Sequence, residues 1–179
     1  MKIFILITLL LLEGILKNTA AQDTIYWSPH YKLKWEDFKG RPDSTSKYRA
    51  IGNSGIRYRL SSNEDSFTTK VLCYFIKSKS WTTNTNSSTL LLHEQGHFDI
   101  AELFARKLRK AFADYQFNYQ TFKKDIDQLF ELINQERDKM DILYDKETNF
   151  SQNKPNQLLW NKKIKTELDK LKKYASPIN

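Results

Sequence analysis

The stretch L-L-H-E-Q-G-H-F-D-I, residues 91–100, limits what this chain can fold into more than any other. It lies inside a run in which His93, His97, Ile100, Ala101, Phe104, Leu108, Ala111 and Phe112 recur at spacings of three and four. That is the period of a helix with one buried face. A helix is predicted over about 89–116, with Ser88 or Thr89 as its cap. At about 100° per residue, His93 and His97 point the same way one turn apart. Two imidazoles and the adjacent Glu94 carboxylate are costly to bury together unless something binds them.

H-E-x-x-H on a helix answers that cost with a metal ion. Both rings can reach one cation, and Glu94 stands beside their face, where it can hold a water without entering the coordination sphere. His93 and His97 are therefore the candidate ligands, Glu94 the candidate base, and Zn²⁺ the implied cofactor. Gly96 is out of place in a helix interior, where glycine costs about 1 kcal/mol against alanine. Close approach of a neighbouring backbone is one reason for it, and plain neutrality is the other.

A catalytic zinc usually takes a third protein ligand and keeps its fourth position for water. Only acids and His30 are available, since Cys73 reads as a buried strand residue. Asp99 and Glu102 lie about 160° and 140° around the helix from His97, so they point elsewhere. A second helix is predicted near 121–147, striped by Ile126, Leu129, Ile133, Met140, Leu143 and Tyr144. If the two helices form an antiparallel hairpin, equal rise per residue sets the histidines opposite Y-D-K-E-T, residues 144–148. Glu147 falls on the apolar stripe and is the expected third ligand, with Asp145 in reserve. Tyr144 shares that face, either as a core residue or as a hydrogen-bond donor to a developing oxyanion.

Ahead of the motif helix, G-I-R-Y-R-L-S-S and F-T-T-K-V-L-C-Y-F-I-K-S-K-S-W alternate as strands do, with S-S-N-E-D-S as the turn between them. The second strand can lie at an edge, open to an extended peptide, or in the interior; its sequence suits both. Trp35 and Phe38 anchor L-K-W-E-D-F-K-G-R-P-D, whose Gly40 and Pro42 bar a regular element. A last helix follows Pro155, striped by Trp160, Ile164, Leu168 and Leu171.

Residues 1–21 read as an export signal: Lys2, an apolar run from Ile3 to Leu12, then Thr19, Ala20 and Ala21. The run is about half the length that spans a bilayer, so no transmembrane segment is expected once the signal is removed. The remainder, 22–179, is long enough for one domain. The predicted location is outside the cytoplasm, periplasmic or secreted, and the predicted state is a monomer. The formal charge of +8 is concentrated in A-R-K-L-R-K and N-K-K-I-K-T-E-L-D-K-L-K-K-Y. Because those lysines alternate with a helical apolar stripe, they read as a solvated face rather than a specific nucleic-acid surface, with contact to anionic envelope polymers as the other use.

Taken together, L-K-W-E-D-F-K-G-R-P-D, H-E-Q-G-H-F-D-I-A-E, and Y-D-K-E-T followed by Trp160 resemble a family of exported bacterial proteins of largely unknown function, predicted to be zinc-dependent proteases. The resemblance spans nearly all of the chain after residue 21. It implies a zincin-like α+β fold, with a small antiparallel sheet, an active-site helix and a helical C-terminal half. It also implies metal binding by His93 and His97 and a catalytic role for Glu94. Some relatives carry a histidine just after Y-D-x-E-T, where this chain has Asn149 and Phe150, which leaves the third ligand to an acid. The expected activity is hydrolysis of a peptide or protein substrate. The alternatives are a cell-envelope binding protein whose metal is structural or lost, and a metal-dependent amidase acting on cell-wall peptide.

Overall fold

A computed structural model describes residues 23–176; the export signal expected over 1–21 lies outside the described residues. The chain is α+β. Strands β1 (Thr24–Tyr26), β2 (Ala50–Ile51), β3 (Ser54–Ser62), β4 (Phe67–Ile76) and β5 (Trp81–Thr82) come first. Helices α1 (Ser88–Asp114), α2 (Phe122–Thr148) and α3 (Lys154–Lys170) follow. The strands form two antiparallel sheets, one ordered β1-β4-β3 and the other pairing β2 with β5. Among the described residues no helix is long and apolar enough to cross a membrane.

The predicted β3–β4 hairpin is present, with Ile56 opposite Cys73 and Ser62 opposite Phe67. Its turn is tied by Asn63, whose Oδ1 accepts from the backbone N–H groups of Asp65 and Ser66, a common way for asparagine to fix a turn. β4 is not an edge strand at its C-terminal end. β1 covers the other side of that end, pairing Ile25 with Phe75, so β4 is an interior strand over residues 74–76, where it approaches α1. β4 also stops at Ile76. A short 3-10 turn over Lys77–Lys79 then redirects the chain into β5.

α1 runs through the middle of the core. Its Phe98 packs on Phe75 of β4 with ring centroids 5.7 Å apart, and Phe112 meets Tyr58 of β3 at 5.4 Å. The opposite side of α1 carries α2 and α3, and Phe98, Ile100, Phe104, Leu108, Ile126 and Ile164 are all buried. Cys73 is buried and free, as its strand pattern implied. The cap of α1 is Ser87, one residue before the expected pair, its side chain accepting from the Leu90 N–H. α3 starts where Asn153 caps the Asn156 N–H, with Pro155 in its first turn, a position that proline's fixed φ and missing N–H suit.

The N-terminal segment is latched to the back of α1. Gln95 Oε1 accepts from the Leu33 N–H at 2.8 Å, while Asp99 Oδ1 accepts from Gln95 Nε2 at 2.8 Å and from Trp27 Nε1 at 2.7 Å. Farther along, buried Glu102 takes Arg106 and Arg109, whose guanidinium groups also reach the backbone carbonyls of Leu168, Val71 and Tyr174. These two arginines of A-R-K-L-R-K therefore hold the fold together and do not contribute to an open basic face.

The W-E-D-F-K-G segment is structural as well. Asp37 is buried and accepts from Tyr31 Oη at 2.7 Å and the Lys34 N–H at 3.0 Å, with Lys77 Nζ 3.1 Å away. Burial opposes its ionisation, but these partners outweigh that and hold its pKa below the ordinary value. Gly40 sits so close to the β4–β5 connection that a Cβ there would stand 2.8 Å from the Ser78 carbonyl oxygen.

Candidate metal centre

α1 presents His93 and His97 to α2, and the acid that meets them is Asp145. Asp145 Oδ1 lies 3.1 Å from His93 Nε2 and 2.9 Å from His97 Nε2, and the two Nε2 atoms are 3.3 Å apart. These three residues form a group that can hold a metal ion, their donor atoms all within 4.8 Å of one another.

The outer ring nitrogens decide how those donors point. His97 Nδ1 is 2.8 Å from Asp141 Oδ1, and Arg137 Nε donates to the other oxygen of Asp141 at 3.1 Å. His93 Nδ1 is 3.1 Å from Gln157 Oε1. The Gln157 amide nitrogen already donates to Tyr144 Oη and Asn161 Oδ1, which leaves Oε1 as an acceptor. Both Nδ1 atoms therefore carry the proton. In neutral imidazoles, both Nε2 lone pairs then face each other and an anionic oxygen, a set of three acceptors that a cation completes. Ligand histidines held from behind by a carboxylate or carbonyl are the usual outer arrangement of a metal site.

Burial works against a charged His97, but Asp141 and Asp145 outweigh it and push its pKa up to about 10. Asp145 is affected in the opposite direction: burial opposes its charge, yet hydrogen bonds from the two histidines hold it well below the usual carboxylate range.

Glu94 is 5% exposed and shares a cavity of about 380 Å³ with the triad. Its Oε2 accepts from the Gly52 N–H at 2.8 Å. Burial raises its pKa, opposed by the two histidines and by that N–H.

Two sequence expectations are corrected by the geometry. Glu147 does not approach the histidines; its Oε2 accepts from Trp160 Nε1 at 2.7 Å, tying α2 to α3. The hairpin register was right, since α1 meets α2 at residues 144–148, and Tyr144 of the stripe packs on both histidine rings. The acid beside it that reaches them is Asp145, while Glu147 turns toward α3. Tyr144 is fully buried, donates to the His93 carbonyl at 3.1 Å and accepts from Gln157 at 2.5 Å. Its ring stacks on His93 with centroids 4.5 Å apart. It supports the site from behind, and its hydroxyl does not face the cavity.

The same ring explains Gly96. A Cβ at this position would stand 2.7 Å from Tyr144 Cζ, so a neighbouring side chain, not a neighbouring backbone, requires the glycine.

Three supporting residues went unrecognised in the sequence: Asp141, Arg137 and Gln157. The first two carried a signal, because Arg137, Asp141 and Asp145 recur every four residues and so line one face of α2. Gln157 carried none, since only the fold of α3 against α1 brings it near. His30 takes no part in the cluster.

Residues 77–152, which include all of α1 and α2, match a family described as bacterial proteins of unknown function (DUF922). No curated protein and no solved structure matches the chain.

Proposed function

We propose that this chain is an exported zinc-dependent peptidase, with His93, His97 and Asp145 as the protein ligands and Glu94 as the general base. The observation that carries the reading is the convergence of two oriented Nε2 atoms on one carboxylate oxygen, with a buried glutamate in the same cavity. Two nitrogens and one oxygen suit zinc, and three protein ligands are the number that leaves a position open for substrate or water. A zinc ion bound there supplies Lewis acidity, bringing the pKa of water to about 7 and polarising a carbonyl.

The remaining work falls to the chain. The Gly52 N–H holds one oxygen of the Glu94 carboxylate in place. Burial makes that carboxylate a stronger base than an exposed glutamate. In hydrolysis the water oxygen joins the carbonyl carbon and the C–N bond breaks. Glu94 carries the displaced proton to the departing nitrogen. Asp141 and Gln157 keep both rings in one tautomer throughout, so no reorientation is needed during the reaction.

The test compares zinc-loaded wild type with Glu94→Gln on a mixture of peptides. Loss of a positioned general base lowers the rate by about 10²–10⁴-fold, with zinc content unchanged. Equal rates would remove Glu94 from the mechanism. N-terminal sequencing of protein recovered outside the cytoplasm tests export, the expected first residue being Gln22.

A further inference from the structure

The cavity that holds the triad also fixes which peptides suit it; this inference rests on the peptidase reading. One wall is the segment 47–54, running through β2, and the other is the flank of α2 with the turn after it. Its lining contains three carboxylates, and all three are engaged inward. Glu94 is held by Gly52, Asp141 by His97 and Arg137, and Asp145 by both histidines. The same lining contains Lys47, Arg49 and Arg137.

The cations are disposed differently from the acids. Arg49 is exposed. Its backbone is pinned, because its carbonyl accepts from the Thr83 N–H at 2.8 Å and from the hydroxyls of Thr82 and Thr83. Lys47 Nζ lies 5.2 Å from the centroid of the Tyr48 ring, with its ammonium open to water. Arg137 spends its Nε on Asp141, and the rest of its guanidinium fork is not used in that bond. Three cations balance three carboxylates, so a divalent ion gives the lining a net positive charge. The uncommitted part of that charge is carried by Lys47 and Arg49.

An aromatic pair completes the wall. Phe150 packs against Tyr48 at 5.7 Å and joins the two sides of the cavity, both rings being about 40% exposed. Phe150 is held there by an unusual backbone: Asn149, Phe150 and Ser151 all have positive φ, at 47°, 49° and 73°. Such conformations cost energy for residues other than glycine and cluster at functional sites.

We propose that the cavity selects peptides carrying a carboxylate near the scissile bond, recognised by Arg49 and Lys47. A glutamate or aspartate side chain and a free C-terminus offer the same chemistry, and the test separates them. An apolar residue beside the carboxylate lies against Tyr48 and Phe150.

The test uses the zinc-loaded full chain and matched peptides with Glu, Gln or Lys at each position flanking the cleaved bond, each with a free or amidated C-terminus. The Glu peptides are expected to exceed the Gln peptides in kcat/KM by about tenfold, the scale of a hydrogen bond to a charged partner. That margin shrinks with added salt. In the double variant Arg49→Gln, Lys47→Gln the margin between Glu and Gln peptides disappears. If amidation lowers kcat/KM while the Glu and Gln peptides remain equal, the recognised group is the C-terminus. Equal kcat/KM for Glu, Gln and Lys peptides, with free and amidated C-termini alike, would overturn the proposal and leave the peptidase reading standing. If no peptide is cleaved, the peptidase reading fails. Calorimetric binding of the same peptides to zinc-loaded Glu94→Gln then decides the carboxylate preference by itself, and equal affinities for Glu and Gln peptides, free and amidated alike, would end it.

Discussion

Asp141 Oδ1 lies 2.8 Å from His97 Nδ1, on the side of the ring away from the ligand nitrogen, and Arg137 holds the other oxygen of Asp141. That relationship fixes the tautomer of His97 and raises its basicity toward a metal. Asp141→Asn should therefore lower zinc affinity by about 10–100-fold, the usual effect of removing such a partner. The fold should be retained, because the site is 20% exposed. Competition with a chelating dye measures it, and an unchanged affinity would mean that Asp141 is only a helix-surface ion-pair partner.

The two acids of Y-D-K-E-T separate cleanly. Asp145→Ala takes away one of the three donors and is expected to cost more zinc affinity than Asp141→Asn does. Glu147→Gln keeps an acceptor for Trp160 Nε1 and should leave zinc affinity at the wild-type value. Zinc titration of both variants checks this; the reverse ranking would return the third-ligand role to Glu147.

Gly96→Ala is informative through its sign. At an unobstructed helix position the change gains about 1 kcal/mol. Here the new methyl meets the Tyr144 ring, and overpacking of this kind costs about 1–3 kcal/mol. Tyr144→Phe should also destabilise by about 1–3 kcal/mol, because it leaves the His93 carbonyl and the Gln157 amide without their shared partner. Urea unfolding of each variant gives the number, and a stabilised Gly96→Ala would refute the packing seen at the site.

Asp37 gives the fold an acid-sensitive component. Its folded-state pKa lies below the ordinary 3.8, so its contribution is complete above about pH 4. It is lost as pH falls through the lower, folded-state value. The stability gap between wild type and Asp37→Asn should therefore be widest near neutrality and close on acidification below pH 4. A gap that does not change with pH would show that the Asp37 contacts are independent of charge.

Much of this was legible in the sequence because long periodic elements announce themselves. α1 and α2 were placed to within a residue or two, and the antiparallel register between them followed from equal rise per residue. The choice between Glu147 and Asp145 went wrong because Glu147 was placed on the face of Tyr144, whereas the buried face continues to Thr148 and Glu147 is turned outward to Trp160. Ile126, Leu129, Ile133, Met140 and Tyr144 pack into the core, Leu143 is exposed, and the acids of the candidate metal centre lie on the neighbouring polar row of Arg137, Asp141 and Asp145. Short elements left little trace. β1 is three residues long and β2 and β5 are two each, so nothing in the pattern showed that the C-terminal end of β4 is covered on both sides. Gln157 and Thr148 reach His93 only through the packing of the helices, which local periodicity does not encode.

The central claim is that His93, His97 and Asp145 hold one zinc ion. Elemental analysis of purified wild type beside His97→Ala, with circular dichroism confirming that both are folded, tests it most directly. One zinc per chain in the wild type and little or none in the variant is the predicted result. Equal zinc in both, or none in either after zinc supplementation, would contradict it.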